Sequence, residues 1–328
     1  MTPTRLGYLY GIGAYLLWGF FPLYLKLLQP SGPVEILAHR IVWSVVFVAL
    51  VLAALRNIGF LRALARRPRA LAGVGAAAVL IGVNWGTYIH GVNSDRVVET
   101  ALGYFINPLV VVLLGVFVLR ERLRPAQWAA LGVGGVAVAV LTVDYGRLPY
   151  LALTLAFSFG GYGLVKKRLG LPAAEGLFVE SAALALPALA YLWWLTARGD
   201  ATFGAVSPGH TALLVMAGVV TAIPLLMFAG AANRLPLSSL GMLQYLAPIL
   251  QLGCGVLIFH EPMPPARLAG FALVWLALTI FTVDALRATG RARRTARAAA
   301  TAHRDLAVSA LASPGTHPSP GPEVQDRV

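Results

Sequence analysis

The sequence predicts an all-α integral membrane protein with ten transmembrane helices, arranged as two inverted five-helix repeats. Composition is the first reason, since 58% of the 328 residues are hydrophobic and 12% are charged, whereas soluble domains carry about 25% charged residues. The mean hydropathy is +0.75. The second reason is that apolar stretches of membrane-spanning length follow one another along the chain. The third is that charged residues and prolines recur at an offset of about 140 residues.

The spans are predicted from the length of the apolar stretches. A helix needs about 20 apolar residues to cross a hydrocarbon core of about 30 Å. Stretches of this kind cover residues 7–28, 35–55, 71–91, 100–119, 126–143, 149–166, 176–197, 210–231, 237–259 and 266–286. The first follows a short Thr/Arg segment and does not end in a small-residue cleavage pattern, so we expect a retained helix rather than a signal peptide.

The repeat is visible in residues that seldom match by chance in so apolar a chain. The matched pairs include Lys26 and Lys166, Glu35 and Glu175, Pro108 and Pro248, Glu121 and Glu261, and Pro125 and Pro265. Five spans in each half is an odd number, so the second half enters the membrane from the opposite side and the repeat is inverted. We expect a first repeat at 1–145 and a second at 146–287. Residues 288–328, basic and then rich in Pro, Ser and Gly, are expected to form a disordered cytoplasmic tail.

The net charge of +13 does not indicate nucleic-acid binding, because the charges punctuate the membrane spans. With a cytoplasmic N-terminus, the inside segments hold about 20 Lys and Arg residues and the outside loops about 4. This asymmetry predicts that both termini are cytoplasmic and that the partner surface is the lipid bilayer. The single cysteine, Cys254, excludes a disulfide framework and a cysteine-based metal site.

Three segments resemble a known family. Residues 35–44 (EILAHRIVWS), 102–109 (LGYFINPL) and 240–248 (LGMLQYLAP) are similar to the RarD branch of the EamA, or drug/metabolite transporter, superfamily. The likeness covers about residues 5–286. It implies a ten-helix carrier in the plasma (inner) membrane of a bacterium, exporting small metabolites or amphipathic compounds.

Two ionisable residues lie deep in predicted spans, where insertion costs about 2.5–3.5 kcal/mol and a charge usually faces a cavity or a partner. By helix rise, Arg40 lies about 8 Å below the outer boundary, and its repeat counterpart Glu180 lies at a similar depth from the cytoplasmic side. The axial gap of about 13–16 Å is too long for a direct ion pair. We therefore expect each to serve its own side of a central cavity. The alternative is that neighbouring polar groups neutralise each charge and that both serve packing alone.

Prolines and amides complete the predicted substrate site. Pro108 and Pro248 each remove the helical bond to the carbonyl four residues earlier, which frees the carbonyls of Tyr104 and Gln244. The alternative is a kink whose carbonyls are satisfied by neighbouring helices. Trp85 and Tyr88 add aromatic faces at helical spacing. The predicted substrate-binding residues are His39, Arg40, Asn84, Tyr104, Asn107, Glu180, Gln244 and Tyr245.

The same residues favour a carrier over other classes of membrane protein. No Gly-rich loop with Lys-Ser/Thr is present, so ATP is not the expected energy source. The six His residues form no spaced cluster with carboxylates, so we expect no catalytic residues, cofactor or metal. We predict a secondary-active exporter of small metabolites, amino-acid-like or amphipathic drug-like, working by alternating access. The alternatives are an integral-membrane enzyme acting on a lipid-linked substrate, and a channel. The coupling proton or ion, and the choice between monomer and homodimer, stay open.

Overall fold

The computed structural model describes residues 2–54, 59–120 and 122–312, and every regular element within these ranges is helical. The predicted all-α class is therefore confirmed. The first half contains α1 Pro3–Gly19, α2 Phe21–Leu27, α3 Pro33–Ala54, α4 Phe60–Ala65, α5 Pro68–Asn93, α6 Val97–Leu119 and α7 Pro125–Tyr145. The second contains α8 Tyr150–Leu169, α9 Ala173–Ala197, α10 Pro208–Ala232, α11 Leu237–Leu243, α12 Leu246–Gly253, a π-helical turn Cys254–Ile258 and α13 Pro265–Ala312.

Each of the ten predicted spans coincides with a helix or a broken helix. Within the described residues, eight spans are long and apolar enough to cross a membrane, and the bent pair α1 and α2 makes a ninth. The tenth is α8, which has 20 residues but carries Lys166, Lys167 and Arg168 near its end. These charges lower its mean hydropathy without shortening it.

Two of the spans are broken where the sequence suggested a single helix. The first bends by 42° between α1 and α2, where Pro22 occupies the first turn of α2 and has no N–H to continue the helical ladder. The ninth breaks at Gln244 and Tyr245, between α11 and α12, four residues before Pro248. The matched Pro108 has a different effect, because α6 runs through it without a break.

Helix packing in the unit Met1–Phe281 follows an exchange pattern. Helix α1 packs on α10 as α8 packs on α5, and α1 packs on α12 as α8 packs on α6. Helix α3 packs on α10 as α9 packs on α5, while α3 pairs with α9 and α6 with α12. Two related halves would show such exchanges if α1, α3, α5 and α6 corresponded to α8, α9, α10 and α12. The repeats at 1–145 and 146–287 stay a prediction. The inverted orientation of the halves in a membrane stays a prediction.

The C-terminal unit, Thr282–Val328, differs from the sequence expectation. Disorder was expected from residue 288, but α13 continues to Ala312. The correction has a simple physical reason, since residues 288–312 are rich in Ala and Arg, which are among the strongest helix formers. The Pro/Ser/Gly-rich run at 313–328 lies outside the described residues.

Candidate functional site

The site is centred on Arg40, which lies on α3 and is 6% exposed. Its Nε donates a hydrogen bond of 2.8 Å to Oγ1 of Thr221 on α10. The Thr221 hydroxyl in turn donates to the carbonyl of Ala217, one helical turn earlier, at 2.7 Å. The threonine therefore uses its proton within α10 and offers a lone pair to the guanidinium.

Aromatic rings lie against the same guanidinium. Its Cζ is 4.2 Å from the centroid of the Trp85 ring on α5 and 4.8 Å from that of Phe21. Phe21 begins α2, so the bend after α1 places its ring over the charge. Desolvated cation–π contacts of this kind are worth about 2 kcal/mol or more. They stabilise the charge without accepting a conventional hydrogen bond.

Two tyrosines extend this group. The Tyr88 ring stacks on Phe21 at a centroid distance of 6.1 Å and meets the Tyr104 ring edge-on at 5.7 Å. Both rings continue the aromatic surface that Phe21 presents to Arg40. We call the following residues the arginine box: Phe21, Arg40, Trp85, Tyr88, Tyr104 and Thr221.

Asn84 supports the box rather than facing it. It is 1% exposed, and its Oδ1 accepts a 3.2 Å hydrogen bond from the Tyr104 hydroxyl. Its Nδ2 donates to the carbonyl of Leu155 at 3.0 Å and to Oγ of Ser158 at 3.1 Å, both on α8. Asn84 therefore ties α5 to α8 and fixes the direction of the Tyr104 hydroxyl.

The buried carboxylates have hydrogen-bond donors or cations as partners, whereas Arg40 has no carboxylate partner among the described residues. Glu35 and Glu261 accept hydrogen bonds from backbone N–H groups, and Glu99 and Glu180 pair with cationic side chains. In the part of the chain that the structure describes, no carboxylate lies within ion-pair distance of Arg40. Among the described residues, the hydroxyl of Thr221 and the ring faces of Trp85 and Phe21 are what meets its positive charge.

Glu180 lies in a second polar group. It is 1% exposed, its Oε1 is 2.7 Å from Nζ of Lys166, and its Oε2 accepts a 2.9 Å hydrogen bond from the Tyr162 hydroxyl. Arg40 and Glu180 thus have different partners, and their service to opposite sides of a central cavity stays a prediction. The rings of Tyr104, Phe159 and Tyr162 follow one another at centroid distances of 6.1 Å and connect the two groups.

His39 faces a different neighbour from Arg40. Its ring is buried and stacks on Phe203 at 4.7 Å, and neither ring nitrogen has a hydrogen-bond partner among the described residues. Phe203 belongs to the connection between α9 and α10. His39 therefore meets that connection rather than the arginine box.

Three predicted substrate-binding residues remain, and the structure places them in different surroundings: Asn107, Gln244 and Tyr245. Asn107 is buried one helical turn after Tyr104, and its Oδ1 has no partner among the described residues. Gln244 is half-buried at the break between α11 and α12. Tyr245 packs against an apolar cluster that α6 shares with α7 and α13. The buried amide that reaches a neighbouring helix from α12 is instead Gln251, whose Nε2 donates to the carbonyl of Trp18 at 3.0 Å.

A set of contacts closes the bundle near the start of α3. Oε1 of Glu35 accepts a hydrogen bond from the Thr202 N–H at 2.8 Å, and the Ser31 and Thr202 hydroxyls are 2.6 Å apart. Nε2 of His210 lies 3.1 Å from Oγ of Ser31. With Phe203 these residues form what we call the outer latch, after the membrane side that the sequence predicts for it: Ser31, Glu35, Thr202, Phe203 and His210.

Sequence reasoning singled out Trp85 but missed two other direct partners of Arg40, Thr221 and Phe21. Thr221 gave no signal, because a hydroxyl in an apolar helix commonly bonds its own helix backbone. Phe21 is one of 14 phenylalanines, and only the bend at Phe20 distinguishes it. Among the described residues, no group of three His, Cys, Asp or Glu side chains could hold a metal ion.

A ten-helix bundle of apolar spans defines a multi-pass membrane protein, and a buried charge within such a bundle usually belongs to a substrate or ion pathway. Residues 5–143 match the EamA-like transporter family. The chain is 55% identical over 97% of its length to Protein RarD of Streptomyces exfoliatus, of which it covers 99%. It is 44% identical over 87% of its length to the uncharacterized transporter YojE of Bacillus subtilis, covering 96% of that protein. The chain belongs to the EamA-like transporter family, as a RarD-type member.

A solved structure shares the fold. A chain described as "Crystal structure of protein" superposes with a TM-score of 0.55 at 21% identity, covering 86% of this chain and 98% of that one. At this identity the likeness concerns the fold alone.

Proposed function

We propose that this protein is a secondary-active exporter of small amphipathic or amino-acid-like metabolites, and that the arginine box is its substrate site. The observation that carries the proposal is the buried charge of Arg40, which has no described carboxylate partner. A charge in the membrane interior is costly and usually belongs to a substrate or ion pathway. The aromatic rings around it suit the apolar part of an amphipathic compound.

Alternating access is supported by the two polar groups that flank the box. Arg40 is buried, so a substrate reaches it only after helices or connections move. The outer latch lies on one side along α3, and the Lys166–Glu180 pair lies near the ends of α8 and α9 predicted to face the cytoplasm. Opening one group while the other stays closed would expose the box to one side at a time.

The proposed location is the bacterial plasma membrane, with both termini in the cytoplasm. The support is the excess of Lys and Arg in the segments assigned to the inside. Reporter fusions after Arg67 and after Arg294 test it. A reporter that works only in the cytoplasm should be active at both positions. Activity at either position of a reporter that works only outside the cytoplasm would overturn the orientation.

The transport test uses purified protein in sealed vesicles loaded with a deproteinised extract of small cytoplasmic metabolites. Mass spectrometry of the external medium compares these vesicles with protein-free vesicles. We expect a small number of compounds to leave only with the protein, at a rate that saturates with concentration. Release without saturation would indicate a channel, and release of chemically altered compounds would indicate an enzyme. An untargeted comparison of metabolites inside and outside cells with and without the chain provides the matching test in vivo.

A further inference from the structure

We propose that the arginine box is an anion subsite and that the transported compound carries a carboxylate next to an aromatic or other apolar body. This inference rests on the proposed function, because it names the substrate class of the same site. The donors, the missing counter-charge and the rings of the box each support it.

The first support is the set of hydrogen-bond donors that Arg40 leaves unused. A guanidinium has five N–H donors and no acceptor. Nε donates to Thr221, and no hydrogen bond from either terminal nitrogen to another described residue is present. These terminal N–H groups form the fork that matches the two oxygens of a carboxylate.

A second unused hydrogen-bond donor belongs to the arginine box, namely the hydroxyl of Tyr88. The Tyr88 side chain is 4% exposed, and its hydroxyl has no hydrogen-bond partner among the described residues. Stacking on Phe21 and edge contact with Tyr104 hold its ring in place. A buried donor without an acceptor is unfavourable, so a ligand oxygen would satisfy Tyr88 together with Arg40.

The third support is the charge balance. Glu35, Glu99, Glu180 and Glu261 are all occupied by donors elsewhere in the protein. None of these carboxylates pairs with Arg40 in the described structure. A carboxylate on the substrate would supply the missing negative charge, whereas an ammonium would be repelled.

The aromatic rings of the box indicate that the part of the ligand next to the carboxylate is apolar. Trp85 and Phe21 lie within 5 Å of the guanidinium carbon, measured to their centroids, and Tyr88 and Tyr104 continue the same wall. A carboxylate held by Arg40 therefore places the adjoining part of the compound against aromatic faces. An apolar body gains from this burial, while a strongly hydrated one does not.

The test compares probes that share one body and differ in charge. Purified protein in an uncharged detergent is titrated with 3-phenylpropionate or with 3-phenylpropylammonium at constant ionic strength, together with acetate as the anion without a body. Thermal unfolding is followed by labelling of Cys254, which is buried in the folded state. We expect only 3-phenylpropionate to raise the melting temperature, because a ligand that binds the folded state alone stabilises it.

Substitutions assign the effect to the box. Arg40→Gln should weaken the apparent affinity for 3-phenylpropionate by on the order of tenfold or more. Arg40→Lys keeps the charge and loses the fork, so 3-phenylpropionate should still raise its melting temperature, but by less. This second variant keeps the test decisive if Arg40→Gln does not fold. The exposed Arg69→Gln removes the same charge elsewhere and should leave the shift unchanged.

The outcomes separate this inference from the proposed function. A shift by the ammonium equal to that by the carboxylate, no shift by the carboxylate, or an unchanged shift in Arg40→Gln would each overturn the anion subsite. The vesicle experiment answers the other question independently. Saturable release of cationic or neutral compounds would retain the transporter and reject the carboxylate, whereas absence of any protein-dependent release would reject the transporter.

Discussion

Lys166 Nζ lies 2.7 Å from Oε1 of Glu180, which joins α8 to α9 through an ion pair inside a predicted membrane span. The two partners differ in exposure, since the Lys166 side chain is 24% exposed and that of Glu180 is 2% exposed. A broken buried pair leaves one charge uncompensated, and the cost depends on how well that charge can reach water.

The first prediction uses this difference. Lys166→Met should lower the free energy of unfolding by about 3 kcal/mol, because it leaves the deeply buried Glu180 charged and unpaired. Glu180→Gln should cost less, since Lys166 can turn toward water and the amide can keep the Tyr162 contact. Thermal unfolding in detergent measures both. The double variant should be more stable than Lys166→Met, and strictly additive losses would contradict a coupled pair.

The second prediction concerns the outer latch. The hydroxyls of Ser31 and Thr202 are 2.6 Å apart, so the sulfur atoms of cysteines at both positions should be able to meet and form a disulfide. In a Cys254→Ala background, oxidation of the Ser31→Cys/Thr202→Cys variant should abolish vesicle efflux, and a reductant should restore it. Each single-cysteine variant is the control. Full efflux from the oxidised, cross-linked protein would show that the latch does not open during transport.

The third prediction concerns the contact between α3 and α10. A Cβ at Gly218 would overlap the backbone of Trp43 and Ser44, and a helix backbone cannot give way as a flexible side chain can. Gly218→Ala should therefore cost about 1–3 kcal/mol of stability. Gly132→Ala on α7 is the matched control, because nothing lies within 4 Å of its added Cβ. Its stability should stay equal or rise by up to about 1 kcal/mol, and equal losses in both variants would contradict the close approach.

The fourth prediction is a pH dependence at Glu261, in the connection before α13. Burial raises the pKa of this carboxyl above its usual 4.5, while hydrogen bonds from the Val98 and Val97 N–H groups oppose the rise. The folded protein then holds this proton more tightly than the unfolded chain does. The contribution to stability is full below pH 4.5 and is lost as the pH rises through the folded pKa.

Glu261→Gln should therefore flatten the decline in melting temperature as the pH rises above 4.5. Asp200→Asn is the control, since that carboxylate is 56% exposed and its replacement should leave the slope unchanged. A slope in Glu261→Gln identical to that of the unmodified protein would contradict the assignment.

The spans and the central charge could be predicted because they follow from local physical limits. A membrane core fixes the length of an apolar helix, and the cost of a buried charge singles out Arg40 before its neighbours are known. Asn84 was predicted as an amide within a span and Tyr104 through the carbonyl freed by Pro108. In the structure Asn84 acts through Tyr104 and α8.

Two of the partners of Arg40, Phe21 and Thr221, could not be predicted because they depend on how helices pack. Phe21 reaches the guanidinium through the bend after α1, and Thr221 arrives from α10, 181 residues away in sequence. Local sequence also did not separate Pro108, which lies within a continuous α6, from Pro248, which follows a break.

The most direct test of the account is efflux from vesicles that contain Arg40→Gln, measured with the compounds that the unmodified protein releases. Arg40→Lys and the unmodified protein are reconstituted at equal amounts, and melting temperatures confirm that all three are folded. The account predicts that Arg40→Gln inserts normally but loses at least about tenfold in efflux, with Arg40→Lys in between, because the guanidinium acts on substrate and not on insertion. Efflux at the unmodified rate from Arg40→Gln would contradict it and leave Arg40 with a packing role alone.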